Sequence, residues 1–242
     1  MKNLISAIKF ITIIPIGKNI VFNPLGMVSF FPVVGIILGI LVAIFDRAAL
    51  FLWPKPLVSL LDVLLLVFLT GAFHLDGLGD TADGLLGHRP REKALSIMKD
   101  SRIGVMGLVA IIFGLSIKTG GIIYLDDHRS LFLIIIPAYS RGTMIFGIRY
   151  LNYCRSEGGT GHALFESPLG FFPFWGLLIP FVLSLFIGLN GIWISFLFFI
   201  CIFLILSYYN KRMGCITGDM LGAMCEVTES SLFLMASMGG AL

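Results

Sequence analysis

Two apolar stretches, 171–189 and 191–209, follow one another with only Asn190 between them. A helix needs about 20 apolar residues to cross about 30 Å of hydrocarbon. Each stretch is long enough to span a membrane, and the tight turn makes them antiparallel neighbours. Five further stretches have this character: 27–45, 57–73, 103–125, 130–148 and, more weakly, 217–238. The second contains Asp62, the third Lys118 and the fourth Arg141, while Asp219, Glu226 and Glu229 interrupt the last. Open strands cannot satisfy their backbone groups in lipid. The expectation is an all-α, polytopic helical membrane bundle of six or seven transmembrane helices. It forms one domain over 1–242, with no repeat, low-complexity tract or long linker. Residues 1–20 read as a short amphipathic helix on the membrane surface, stopped by Pro15 and Gly17.

Charge supports the lipid bilayer as a partner. Only 13% of the residues are Asp, Glu, Lys or Arg, against about 25% in soluble domains, which is too few to cover a protein of this size. The net charge of +3 is small, and no basic run is interleaved with aromatics, so nucleic acid is not expected as a partner. The N-terminus has Lys2 and Lys9 but no A-x-A cleavage site, and reads as retained. Cys154, Cys201, Cys215 and Cys225 form no C-x-x-C pair, so buried apolar thiols are expected, not a zinc site or disulfides. A homo-oligomer is left open.

Orientation follows from basic residues in the loops. With the N-terminus in the cytoplasm, Arg47, Lys55 and Arg129 fall on the far side, whereas twelve of the seventeen Lys and Arg fall on the near side. The polar connections 74–102, 149–170 and 210–219 then converge on the cytoplasmic face of the cell membrane.

The stretch HLDGLGDTADG, His74 to Gly84, lies on that face. At 3.6 residues per turn, Asp76, Asp80 and Asp83 fall within about 60° of one another, on one helix face. Carboxylates so close repel, and near a membrane they are expensive, unless a cation sits among them. Hard divalent ions prefer oxygen, and Mg²⁺ commonly takes one or two carboxylates plus phosphate and water. No His or Cys set accompanies the acids, which disfavours zinc. The plainer alternative is a solvated acidic helix face.

Opposite charge follows in HRPREKALSIMKDSRIG. Lys99 and Arg102, flanking Asp100 at the mouth of a span, are candidates to hold phosphate oxygens; Arg89, Arg91 and Lys93 could equally enforce topology. Arg149 and Arg155 precede Gly158, Gly159, Thr160, Gly161 and His162, a loop that could cradle phosphate or be an ordinary turn. It is no Walker motif. Asp219 and Glu226 share a helical face, with a helix-cap role the alternative for Asp219. His74 could act as a base or simply sit at the interface. Lys118 and Arg141 need partners within the membrane, with Asp62 one candidate.

Three segments, FHLDGLGDTADGLLG, IMKDSRIGVMG and TGDMLGAMCEVTE, closely resemble the cobalamin synthase family, the adenosylcobinamide-GDP ribazoletransferases. The resemblance runs from FITIIPIG near Phe10 to the end. Gly79 stands where alanine is expected and Cys215 where a second glycine is. The family resemblance implies a multi-pass membrane enzyme, dependent on Mg²⁺. It would join adenosylcobinamide-GDP to α-ribazole or its 5′-phosphate and release GMP. On that reading Asp76, Asp80 and Asp83 hold metal, with Asp100 a further candidate. Lys99, Arg102 and Arg155 contact phosphate oxygens, and Asp219 and Glu226 complete the pocket. The proton of the attacking hydroxyl passes to a carboxylate, Asp83 or Asp100, or to His74.

Rival readings are a CDP-alcohol phosphotransferase, whose D-G-x-x-A-R start lacks its arginine here, and a prenyltransferase. From a different class, a secondary transporter would want acids near the midplane and paired repeats.

Overall fold

The computed structural model describes residues 2–16, 23–154 and 161–239. Helix α1 (Lys2–Ile11) buries Ala7, Ile8 and Ile11, so it is part of the bundle as well as amphipathic. The short α2 (Pro24–Val28) is capped by Asn23, whose side-chain oxygen accepts from the Gly26 amide at 3.1 Å. Helix α3 (Phe31–Ala49) opens with Pro32 in its first turn, where no amide is needed.

Helices α4 (Lys55–Leu69) and α5 (Phe73–Leu85) meet at 90°. The cause is local. Gly71 and Ala72 both adopt left-handed backbone, at φ of 59° and 58°, which a right-handed helix cannot contain. Gly71 also lies under Ile13: a Cβ there would sit 2.3 Å from the Ile13 Cγ2. Glycine is needed for both the conformation and the contact. The sequence reading of one straight span over 57–73 is therefore corrected. The motif helix α5 turns off the span at the membrane end.

Helix α6 (Arg91–Ile97) is short, and α7 (Val105–Ile123) and α8 (Arg129–Tyr150) follow. Residues 171–189 do not form one long helix. They fold as a 3₁₀ segment, Phe172–Leu177, and the eight-residue α9 (Leu178–Leu185). Helix α10 (Leu189–Arg212) runs back, and α11 (Gly218–Ala236) closes the bundle. Four helices, α3, α7, α8 and α10, are long and apolar enough to cross a membrane, or five if α4 and α5 count as one bent span. Helix α11 has the length, but its acids keep it out of that set. The architecture is an all-α polytopic bundle; among the described residues the only β-type pairing is the isolated bridge of Tyr153 with Ile216.

Helix α8 is the axis. Most of it is buried, whereas α7 and α10 are largely exposed and apolar, as lipid-facing helices should be. Lipid tails give helices little reason to associate, so close backbone packing must do it. Gly35 and Gly39 supply this on α3: Cβ atoms there would lie 2.3 Å from the Pro137 carbonyl oxygen and 2.5 Å from the Ile134 Cα. The Tyr139 hydroxyl bonds those of Ser184 and Ser195 at 2.9 and 2.7 Å, tying α8 to α9 and α10.

One end of the bundle gathers the α4–α5 junction, the starts of α7 and α11, and the ends of α8 and α10. Cys154 and Cys215 are joined there by a disulfide, with Cα atoms 5.0 Å apart across 61 residues of sequence. This corrects the expectation of four unpaired thiols. Backbone bonds from Cys154 N to the Ile216 oxygen and from Ile216 N to the Asn152 oxygen align the two segments, a pairing that sequence spacing does not reveal. Cys201 and Cys225 remain free.

Candidate active site

Helix α5 crosses α11 on small residues. A Cβ at Gly77 would lie 2.6 Å from the Asp219 carbonyl oxygen, and one at Gly222 would lie 3.1 Å from the His74 Cα. Thr217 caps α11, its hydroxyl oxygen accepting from the Met220 amide at 3.2 Å. Its O–H points toward Asp219 Oδ2 at 3.4 Å. The crossing brings Asp76, His74 and Asp219, from two separate sequence motifs, onto one cavity of about 330 Å³. Lys9 and Phe10 of α1, Phe31 of α3 and Met144 of α8 complete its walls. Asp76 is exposed and Asp219 half-buried. His74 is buried, and its Nδ1 has no hydrogen-bond partner.

Asp83 does something else. Its Oδ2 accepts from the Gly104 amide at 2.6 Å and its Oδ1 from the Gly107 amide at 2.9 Å. Those are free N–H groups at the start of α7, so Asp83 caps a neighbouring helix. Cβ atoms at Gly104 and Gly107 would each come within 2.4 Å of its oxygens, so both positions must be glycine. The three acids of the motif therefore do not converge. Asp76 faces the α1–α5–α11 cavity, and Asp83 lies in a separate groove of about 520 Å³ with Arg89, Asp100 and Arg102. Asp80, half-buried, lies between them on α5. Among the described residues no three His, Cys, Asp or Glu side chains group closely enough to hold a metal by themselves. Asp76, Asp80 and Asp83 share about 60° of helix face, which aligns side-chain directions, but over seven residues α5 advances about 10 Å, and Asp76 and Asp83 open onto different cavities.

Two acids in one cavity still suit magnesium. Mg²⁺ usually keeps several waters and is held by one or two carboxylates plus phosphate oxygens. Asp76 and Asp219 match that donor set.

Asp100 and Arg102 pair with each other. Arg102 Nε donates to Asp100 Oδ1 at 2.9 Å and its Nη2 to Oδ2 at 2.5 Å. The side-chain and backbone hydrogen bonds from Arg102 hold the Asp100 carboxyl down at about 2. So weak a base does not suit proton abstraction. Lys99 is exposed and lines neither the cavity nor the groove. Arg155 lies outside the described residues, as do Gly158, Gly159 and Thr160. Gly161 borders the cavity. Arg149 lies over the Phe171 ring at 5.0 Å.

Glu226 is buried behind the cavity. Lys118 Nζ donates to Glu226 Oε2 at 2.8 Å and to Glu229 Oε1 at 2.6 Å. Arg141 and Ser140 bond the other oxygen of Glu229. Two cations thus face two anions, a balanced set in a medium where an unpaired charge is costly. Glu226, expected to contact substrate, instead joins α11 to α7. Asp62 is not the partner of Lys118 or Arg141. At the other end of the bundle it bonds Arg129 Nη2 at 3.0 Å, with Asp46 on the same nitrogen at 2.6 Å.

Sequence reading missed Lys9, Asp46 and Arg129. Asp46 could have been flagged as the one acid of α3. Nothing in the pattern of α1 separates Lys9 from a topology signal.

A family model described as Cobalamin-5-phosphate synthase matches residues 3–237. A protein of Alkaliphilus metalliredigens named adenosylcobinamide-GDP ribazoletransferase is 37% identical, over 100% of this chain and 98% of its own length. Proteins of that name from Synechococcus elongatus and Clostridioides difficile are each 34% identical, covering 97% and 95% of this chain and 95% and 94% of their own. No solved structure matches the chain.

Proposed function

Because the chain belongs to the cobalamin-5-phosphate synthase family and is an enzyme of cobalamin synthesis, we propose that it joins adenosylcobinamide-GDP to α-ribazole or its 5′-phosphate at the α5–α11 cavity. A ribose hydroxyl attacks the phosphorus next to the cobinamide. A new P–O bond forms, the bridge to GMP breaks, and GMP leaves. The observation that carries the reading is the shared cavity of Asp76 and Asp219, two acids 143 positions apart in sequence.

When bound, Mg²⁺ would neutralise the diphosphate and the departing GMP. Asp76 and Asp219 are the residues that would hold it. Of the proton acceptors expected from sequence, His74 is the one that lines this cavity; Asp83 caps α7, and Asp100 is bound up with Arg102 in the neighbouring groove. Phe10 and Phe31 give the cavity apolar walls.

The site faces the cytoplasm of the cell membrane on this reading. The excess of Lys and Arg on the connections at its end of the bundle supports that orientation.

The test is GMP release from adenosylcobinamide-GDP by detergent-purified protein. Release that needs both α-ribazole and Mg²⁺ is expected. Release without α-ribazole, or none under any condition, overturns the reading.

A further inference from the structure

We propose that Lys9 is a substrate contact whose ammonium binds the diphosphate of the guanosine-bearing substrate, which makes α1 a wall of the active site. The inference rests on the proposed reaction and deepens it. Among the described residues Lys9 is the one Lys or Arg on the cavity that holds Asp76 and Asp219. Of the cations that sequence suggested, Lys99 and Arg102 lie elsewhere and Arg155 lies outside the described residues. A diphosphate brings charge that two carboxylates repel, so a cation on the same cavity is what its binding requires.

Lys9 is exposed on a helix that is itself anchored. Its neighbours Ile8 and Ile11 are 6% and 2% exposed. Phe10 stacks on Phe31, with ring centroids 6.1 Å apart. The Thr12 hydroxyl donates to the Ile8 oxygen at 2.6 Å, and the Ile13 amide donates to the Leu69 oxygen at 2.9 Å, at the start of the α4–α5 bend. The backbone is therefore fixed at the cavity while the ammonium stays free. Lys9 makes no hydrogen bond or ion pair among the described residues, although two acids line the same cavity. A flexible stem with three donors suits a phosphate that arrives with the substrate.

A phospholipid headgroup offers the same chemistry as a nucleotide diphosphate, so the experiment separates the two. GDP binding in the presence of Mg²⁺ is measured for wild type, Lys9→Ala and Lys9→Arg. Nanodiscs of phosphatidylcholine alone, and of phosphatidylcholine with phosphatidylglycerol, are compared. The expected result is about tenfold or more weaker GDP binding by Lys9→Ala in both membranes, with Lys9→Arg within about threefold of wild type and thermal midpoints unchanged. In turnover, KM for adenosylcobinamide-GDP rises while KM for α-ribazole does not. Equal GDP binding by wild type and Lys9→Ala, a loss seen only with phosphatidylglycerol, or no GDP binding by wild type overturns the assignment. GDP binding that depends on Lys9 in a protein that transfers no ribazole keeps the contact and overturns the proposed reaction instead.

Discussion

Gly77 packs against the backbone of Asp219 so closely that a Cβ would lie 2.6 Å from its carbonyl oxygen. This contact sets the distance between α5 and α11, and with it the cavity shared by Asp76 and Asp219. Gly77→Ala must push the helices apart or bend one of them. Activity is expected to fall by at least about tenfold, since small misplacements at a reacting centre carry large rate penalties, and the thermal midpoint in detergent should drop. Gly79→Ala is the matched control. Its Cβ would meet only side-chain atoms of Ile111 and Ile103, the nearest being the Ile111 Cδ1 at 3.1 Å, the end of a flexible side chain. That variant should keep full activity and gain up to about 1 kcal/mol of helix stability. Equal effects of the two substitutions would dissociate the crossing from the site.

Asp83 holds the start of α7, so its removal should act on stability first. Asp83→Ala leaves two amides without acceptors, at a cost of about 1–3 kcal/mol. The expected result is a lower thermal midpoint with an unchanged Mg²⁺ requirement per folded molecule. A raised Mg²⁺ requirement at unchanged stability would return Asp83 to the metal.

The buried ion pairs between α7, α8 and α11 should be unforgiving. Lys118→Met leaves Glu226 and Glu229 with one cation between them, and breaking such a set costs about 3–5 kcal/mol. For a chain of this length the midpoint should fall by on the order of 10 °C. The double variant Lys118→Met, Glu226→Gln restores charge balance and should recover part of the loss. A double variant no better than the single one would argue against charge as the cause.

Asp100 has a carboxyl lowered from 3.8 to about 2 by its hydrogen bonds from Arg102. A depressed value means the ion pair favours the folded turn above about 3.8, and the gain disappears as pH falls through about 2. Asp100 is thus ionised throughout the working range. Asp100→Asn should leave the acid limb of the pH–rate profile in place. A limb that moves with this substitution would put Asp100 back into proton transfer.

Much of the architecture was legible because lipid imposes length and apolarity, as the stretches that became α3, α7, α8 and α10 show. The bend between α4 and α5 was not, since 57–73 is mostly apolar and Asp62 is its one charged residue. Only the left-handed backbone of Gly71 and Ala72 breaks it. The acids of HLDGLGDTADG were found by spacing, but spacing gives direction around a helix and not what stands opposite. Asp76 meets α11 and Asp83 meets α7. Glu226 looked like a site residue because it shares a face with Asp219. Its partner Lys118 is 108 positions away, beyond the reach of any local pattern.

The most direct test of the central claim, that Asp76 and Asp219 together hold magnesium, is the Mg²⁺ dependence of GMP release in wild type, Asp76→Asn and Asp219→Asn. Each variant is expected to need at least about tenfold more Mg²⁺ for its half-maximal rate, with its thermal midpoint close to wild type. A wild-type rate and a wild-type Mg²⁺ midpoint in both variants would contradict it.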